Sequence, residues 1–231
     1  MARRDTLTIL TASYGNEIYN SRYISGDKGI WWYPMQERAI NADDNLQLTD
    51  KGIVVKWELT DDNMGWVYTI RDDATFHDGS PVTAEDIAFS MTWAIHENAV
   101  SRVRQRLVKI IDEPAAVTGD NTVKITFTQP YGALPVFMSE TVASGGSAGI
   151  VHKAGTIDVA DPDGNGAAEY ETNPNPYAAG PFNQVEHLRG EKITYEVWDD
   201  HFRTDRSYAF DTLIVELVAE QSTQMAALQA G

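Results

Sequence analysis

The sequence predicts a mixed α/β protein whose strands and helices do not alternate regularly. Several short segments carry apolar residues at every second position, which is typical of half-buried strands. One stretch near residue 85 has a helical period and a clear N-terminal signal. Because the strands and helices do not form a repeating β–α–β pattern, the expected architecture is α+β or mixed α/β. With 231 residues, 42% of them hydrophobic and 23% charged, the chain is long enough to bury a substantial core.

The predicted strands are spread over the whole chain. In order, they are Thr6–Leu10, Ile53–Leu59, Trp66–Ile70, Val108–Ile111, Thr122–Thr128, Lys192–Trp198 and Thr212–Val218. The second and third strands are joined by residues 60–65, which are rich in turn-forming residues and predict a β-hairpin. In the fifth strand, Val123, Ile125 and Phe127 alternate with polar residues, as a half-buried antiparallel strand requires.

The helix signal lies at Thr83 and Asp86, which have the spacing of a capping box with aspartate in the place of glutamate. Acidic residues in the first turn also stabilise a helix, because they lie at the positive end of its dipole. The helix is expected to continue to about Asn98, with Ile87 and Met91 on its apolar face. A second helix is expected to begin near Ser222 and to continue to the end of the sequence.

Composition excludes several classes of function. There are 34 acidic and 18 basic residues, so the formal net charge of −16 opposes binding to nucleic acids and to anionic lipid. The absence of cysteine excludes disulfides, thiolate nucleophiles and cysteine-based zinc sites. No apolar run reaches the roughly 18 residues of a membrane span, and no apolar segment follows the first residues as it would in a signal peptide. Both ends are interpreted as cut.

The longest motif is the segment from Trp66 to Ser90. It contains a strand ending at Arg71, the turn Phe76–Gly79 and the sequence Pro81–Ala84 before the capped helix. This order of residues resembles the signature segment of family 5 extracellular solute-binding proteins, the peptide- and nickel-binding components of ABC importers. Three later segments also resemble this family, although Ala179 stands where the family more often has threonine: Ala179–Phe182, Trp198–Phe202 and Phe210–Val215.

The resemblance implies a lobe like that of type II periplasmic binding proteins. It implies that residues 1–45 and 175–231 form the core of the first lobe, that residues 46–174 form an inserted α+β subdomain, and that the second lobe is absent. It further implies a monomer in the periplasm or outside the cell, which captures an oligopeptide or dipeptide and delivers it to the permease subunits without catalysis. A sugar, a nickel chelate or an opine stays open as the solute.

Candidate ligand-binding residues come from two regions. Tyr14, Trp31, Trp32 and Tyr33 form an aromatic group outside the predicted strands and could stack on a ligand in the cleft. Alternatively, they are core residues between the first strand and the inserted subdomain. The backbone of Ser144, Gly145 and Gly146 could offer N–H groups to a ligand, although a flexible connection explains the same residues.

A weak calcium-like loop lies at residues 161–171. Asp161, Asp163 and Asn165 occupy positions 1, 3 and 5 and a glycine occupies position 6, as in calcium loops, but Thr172 occupies position 12 instead of glutamate. An acidic surface loop is the alternative interpretation. A calcium-dependent secreted hydrolase domain would rest on this loop alone. Otherwise no cofactor is expected.

Two further groups have a functional and a structural interpretation. His77 and Asp78 could act as an acid–base pair, but Asp78 and Gly79 also form a typical tight turn. The arginines at positions 102, 104 and 106 could hold a ligand carboxylate, or could simply form a solvated face.

Overall fold

A computed structural model of the chain describes residues 4–15, 17, 19, 29–97, 99, 102–139, 151–154 and 175–230. The strands are β1 (Arg4–Thr11), β2 (Asn41–Ala42), β3 (Leu48–Thr49), β4 (Val54–Leu59), β5 (Gly65–Ile70), β6 (Ala116–Gly119), β7 (Thr122–Thr126), β8 (Phe182–Leu188), β9 (Lys192–Val197) and β10 (Phe210–Leu217). The α-helices are α1 (Gly29–Trp32), α2 (Ala84–Ile95), α3 (Arg102–Leu107), α4 (Leu134–Phe137) and α5 (Gln221–Ala230). Short 3-10 helices lie at Tyr33–Met35 and Asn175–Tyr177.

The first sheet joins the two ends of the described chain. Its strand order is β1-β10-β9-β8, with β1 parallel to β10 and the other pairs antiparallel. Ile193, Tyr195, Leu213 and Val215 of this sheet are buried in one hydrophobic cluster, which also contains Trp31 of α1. Alternation of buried and less buried residues in β9 follows the two-residue period of a strand.

The second sheet comes from the middle of the chain. Its order is β4-β5-β7-β6, all antiparallel, and it confirms the predicted hairpin between β4 and β5. Asn63, in the turn of that hairpin, has a positive φ of 59°, a conformation that asparagine tolerates better than most residues. Tyr68, Val123 and Ile125 are fully buried in a second hydrophobic cluster.

Helix α2 contributes to both hydrophobic clusters. Ile87 and Met91 pack in the cluster of the second sheet, whereas Trp93 is buried in the cluster of the first sheet. The predicted capping box is present: the Asp86 carboxylate accepts hydrogen bonds from the backbone N–H and the hydroxyl of Thr83 at 2.7 and 2.6 Å. The Asp86 carboxylate also accepts the backbone N–H of Ala154, so the start of α2 is tied to residues 151–154.

The turn at Phe76–Gly79 is a structural junction. Gly79 has a φ of 82°, and Asp78 accepts hydrogen bonds from the backbone N–H and hydroxyl of Ser80, which supports the turn interpretation of this motif. The ring Nε2 of His77 lies 2.8 Å from the carbonyl oxygen of Gly180. The N–H of Gly180 in turn donates to Met35 O at 3.0 Å.

Several predicted elements differ from the structure. Helix α2 ends at Ile95, and Val108–Ile111 does not form a strand; β6 is the strand that pairs with β7 before the turn. Residues 108–110 instead form turns because the backbone N–H groups of Val108 and Ile110 bond back to α3. Strand β8 and helix α3 were not predicted. Their sequences, FNQVEHL and RVRQRL, are too polar and too short for a clear period.

Gly180 cannot carry a side chain without movement of its neighbours. A Cβ atom at this position would lie 2.6 Å from Gln36 N and 2.7 Å from Met35 O, and backbone atoms cannot rotate away. We expect Gly180→Ala to lower the free energy of unfolding by about 1–3 kcal/mol, measured by urea denaturation. Gly132→Ala is the matched control, because nothing lies within 4 Å of its Cβ position. Equal stability of the two variants would contradict this account.

The buried Asp86 carboxylate accepts hydrogen bonds from three donors, so its removal should destabilise the folded state. We expect Asp86→Ala to lower the free energy of unfolding by about 2 kcal/mol or more, because it removes the cap and leaves the Thr83 and Ala154 N–H groups without their acceptor. Glu85→Ala, one residue earlier and exposed, should change it by about 0.5 kcal/mol or less. The expectation fails if both substitutions have the same effect in urea denaturation.

Candidate ligand-binding site

Tyr14, three residues after β1, lies at the carboxyl end of the first sheet. In open sheets, ligands commonly bind beyond the carboxyl ends of the strands, which makes this edge the first candidate for a site. The hydroxyl of Tyr14 donates to Val215 O at 2.6 Å and contacts Glu191 O at 3.2 Å. Burial, followed by the nearby charges of Glu17 and Glu216, raises the pKa of Tyr14 to about 12. The phenol therefore stays neutral and serves as a fixed donor.

Trp31 lies at the centre of the aromatic group. Its indole N–H donates to Tyr14 O at 2.8 Å, and its carbonyl oxygen accepts the hydroxyl of Tyr195. The rings of Tyr14 and Tyr19 meet Trp31 edge to face, with centroids 6.2 and 5.4 Å away. These geometries are favourable for aromatic pairs, so the group is tightly packed.

Trp32 and Tyr33 face a neighbouring region. The ring of Trp32 lies 6.2 Å from that of Tyr33 and 6.4 Å from that of His152. Burial lowers the pKa of His152 to about 3, so this imidazole is neutral. Tyr33 is only half-buried, and the guanidinium of Arg38 lies 4.5 Å from its ring centroid.

The structure thus brings together part of the predicted site. Tyr14, Trp31 and Trp32 are buried in one cluster, as their alternative interpretation as core residues requires, and Tyr33 is half-buried and packs against that cluster. Their contact with a ligand stays a prediction. The following predicted residues lie outside the described part of the chain, and their roles also stay predictions: Ser144, Gly145, Gly146, Asp161, Asp163 and Asn165.

Two of the three arginines have specific contacts. Arg104 donates through Nε to His96 O at 2.8 Å, and the Arg106 guanidinium lies 5.5 Å from the ring centroid of Phe137.

Within the described residues, no group of three or more histidine, cysteine, aspartate or glutamate side chains could hold a metal ion. Among the helices of the described ranges, none is long and apolar enough to cross a bilayer.

The structure also contains a buried polar pair that was not predicted. Glu37 and His201 are 3% and 6% exposed, and Oε2 of Glu37 lies 3.0 Å from Nε2 of His201. Oε1 of Glu37 accepts from Arg38 N and from the Asn41 amide at 2.9 and 3.2 Å. The pair holds the loop between β9 and β10 against residues 36–41. A surface pocket of about 250 Å³ opens beside it and is lined partly by Trp198, His201, Arg203, Arg206 and Tyr208.

Hydrogen bonds link this pair to the neighbouring backbone. His201 Nδ1 accepts the backbone N–H of Arg203 at 3.3 Å, and Nε2 donates to Glu37. Burial acts to raise the pKa of Glu37, but the hydrogen bond and charge of His201 and the charge of Arg206 outweigh it, and the pKa is lowered. Glu37 is therefore a buried carboxylate that accepts hydrogen bonds from three donors.

Comparison with known sequences identifies one family. The sequence model of the bacterial extracellular solute-binding proteins, family 5 Middle, matches residues 51–231. The chain is 25% identical over 212 residues to the probable D,D-dipeptide-binding periplasmic protein DdpA of Escherichia coli (strain K12), which covers 86% of this chain and 36% of DdpA. It is 25% identical over 208 residues to the oligopeptide-binding protein OppA of Bacillus subtilis (strain 168), covering 83% and 35%. The chain thus spans about a third of the length of these relatives.

Solved structures of other proteins share this fold. NikZ from Campylobacter jejuni, in complex with Ni(L-His), matches with a TM-score of 0.77 and 21% identity over 98% of this chain and 42% of its own. OppA of Haemophilus influenzae, in complex with the peptide RPPGFSPFR, matches with a TM-score of 0.79 and 16% identity over 99% and 45%. The predicted fold class, a lobe of the type II periplasmic-binding-protein kind, is confirmed. The boundaries at residues 45 and 175 stay a prediction.

The lowered pKa of Glu37 has a consequence for stability. A carboxyl group whose pKa falls below its ordinary value of 4.5 on folding stabilises the folded state above that value, and this contribution is lost as the pH falls through the folded-state pKa. We expect Glu37→Gln to destabilise the protein by about 2–4 kcal/mol near neutral pH, because an amide would replace a buried acceptor of three donors.

The difference between the native protein and Glu37→Gln should shrink as the pH falls below about 4.5, measured by urea denaturation over a pH series. Glu58→Gln is the control, because the Glu58 side chain is 57% exposed and its pair with Lys56 is a surface pair. A difference that stayed constant through acid pH would show that the charge of Glu37 is unimportant.

Proposed function

Because the chain belongs to the bacterial extracellular solute-binding proteins, family 5, we propose that it forms part of the substrate-binding component of an ABC importer and that its solute is an oligopeptide or dipeptide. The observation that carries this proposal is the family match over residues 51–231, which includes the β4–β5 hairpin, the turn at Phe76–Gly79 and the capped helix α2. Its mechanism is capture and delivery, with no bond made or broken.

We prefer peptide as the solute class because three relatives carry names that refer to peptides. DdpA and the Bacillus subtilis OppA are named for D,D-dipeptides and oligopeptides, and a third relative is named a dipeptide-binding protein. DdpA is also named as periplasmic, which supports a periplasmic or extracellular location and permease subunits as partners for this protein. A sugar, a nickel chelate and an opine are the alternative solutes, and the binding test below distinguishes the first two from peptide.

The chain would supply one side of a cleft that closes over the solute by a hinge motion. The two sheets support the proposed division into a core at 1–45 and 175–231 and an inserted subdomain at 46–174, because β1 and β8–β10 belong to the core ranges and β4–β7 to the inserted range. Tyr33 would face that cleft, and it is proposed as the ligand-contacting ring because it is only half-buried, whereas Tyr14, Trp31 and Trp32 are buried.

One side of a cleft should bind weakly. A micromolar ligand corresponds to about −8 kcal/mol, and half of that free energy corresponds to a Kd near about 1 mM. We expect dialanine and trialanine to shift the backbone amide signal of Tyr33 in NMR titrations of this chain, with a Kd of that order. Maltose and the nickel–histidine complex serve as probes of the other solute classes.

Tyr33→Leu should weaken the peptide-induced shifts, whereas Tyr131→Leu, at a half-buried tyrosine of the second sheet's cluster, should not change them. Saturable binding of maltose or the nickel complex in the absence of peptide binding would replace peptide as the solute. Submicromolar peptide binding by this chain alone would contradict the proposal that it supplies only one side of the cleft.

A further inference from the structure

The edge strands of the two four-stranded sheets differ in regularity. The pairings of β8 with β9, of β4 with β5 and of β6 with β7 each contain a register shift of the kind that a β-bulge produces. Such irregularities twist an edge strand and hinder its pairing with another chain. β1 is the fourth edge strand, and it pairs with β10 from Arg4 to Thr11 without a shift. Among these four strands, β1 is therefore the edge best suited to accept a further strand.

The central part of β1 carries no charge. Residues 6–11 are threonine, leucine and isoleucine only, whereas natural edge strands are commonly protected by lysine, proline or other charged residues. Thr6 and Thr8 are exposed, and Leu7 is 40% exposed. Within the described residues, no strand pairs with the outer side of β1. An uncharged strand with an open row of backbone N–H and C=O groups is a template for strand pairing.

An apolar groove lies beside this edge. It has a volume of about 580 Å³ and is lined mainly by Leu10 of β1 and by Met225, Ala227 and Leu228 of α5. None of the ten residues of α5 is buried, and Met225 and Leu228 are 51% and 77% exposed. Because short helices are stabilised mostly by the packing of an apolar face, α5 has apolar surface available for a further contact.

The sequence of β1 is complementary to itself. When two copies of β1 are aligned antiparallel about a two-fold axis at Thr8, Leu7 of each copy lies opposite Ile9 of the other, and Thr6 lies opposite Leu10. Threonine pairs stabilise antiparallel strands, and apolar pairs remove apolar area from water. A two-fold axis perpendicular to the sheet preserves its two faces, so the grooves of both copies lie on the same side of one continuous sheet.

From these observations we propose that β1 and α5 form a docking surface for a second copy of this chain, which associates into a symmetric dimer through pairing of the two β1 strands. The pairing satisfies the open backbone groups of both edges at once. A contact of this type uses the same surface on both copies and stops at two. The dimer differs from the monomer that the family resemblance implies, and it does not depend on the identity of the solute.

Charge determines the conditions in which the dimer forms. Each copy has a net charge of −16, so the two copies repel each other at long range, whereas residues 6–11 at the contact are uncharged. Salt screens the repulsion and leaves the contact itself nearly unchanged. We therefore expect the Kd of the dimer, measured by sedimentation velocity, to fall about three-fold or more between about 0.05 and 0.5 M NaCl.

Exchange of charges at Thr8 tests the two-fold pairing. Thr8→Lys and Thr8→Glu each place like charges opposite one another at the axis, so each variant alone should have a dimer Kd at least about ten-fold higher than that of the native chain. An equimolar mixture of the two variants should recover the dimer, because lysine then faces glutamate. Val185→Lys and Val185→Glu, at a 50% exposed residue of the irregular edge strand β8, are the matched controls and should dimerise like the native chain.

Hydrogen exchange locates the contact without any substitution. The outward-pointing amides of residues 6–11 should gain about ten-fold in protection as the concentration rises through the dimer Kd, whereas the amides of the edge strand β6 should not change. The proposal is overturned if the native chain stays monomeric up to about 1 mM in 0.5 M NaCl, or if it forms assemblies that grow beyond two copies. It is also overturned if a dimer forms without protection of β1, or if the mixture of the two Thr8 variants stays monomeric.

Discussion

The close backbone contact between Gly180 and Met35 is the constraint on which the arrangement of the two sheets depends. Met35 and Ala178 belong to the hydrophobic cluster of the first sheet, whereas Phe76 and Ala179 belong to that of the second. Gly180 lies where these clusters meet, and its N–H and carbonyl oxygen bond to Met35 and His77 respectively. A side chain there would separate the two backbones, because hydrogen-bonded main chains cannot interpenetrate. The glycine therefore sets the distance between two cores.

Polar groups with little exposure fix loops on both sides of the first sheet, and two histidine–glutamate pairs do so. In the pair of His201 and Glu37, the backbone N–H of Arg203 supplies the second contact of the ring. In the pair of His187 and Glu17, the hydroxyl of Tyr19 supplies it. In each case one imidazole joins a carboxylate to a second group, so a single side chain ties together segments that are far apart in the sequence.

Local signals in the sequence predicted local structure well. The capping box at Thr83 and the turn at Asp78 depend on residues within a few positions of one another, so both were readable and both are present. Strand β8 was missed because its residues are mostly polar, and it forms because it pairs with β9.

Long-range contacts could not be predicted. The pair of Glu37 and His201 joins residues 164 positions apart, and no local pattern indicates such a contact. For the aromatic residues at 31–33, composition could not distinguish a ligand surface from a core, because both use the same side chains.

The pairing of β1 with β10 also affects the order in which the chain can fold. Thr6 aligns with Thr212, so β1 must wait until β10 has been synthesised. At a synthesis rate of about 5–20 residues per second, this wait lasts about 10–40 s. During that time the apolar residues Leu7 and Ile9 have no partner strand, whereas the β4–β5 hairpin can close as soon as it is made. Nascent chains therefore pass through a stage in which the second sheet is complete and the first is open, and this stage is where chaperones would be most needed.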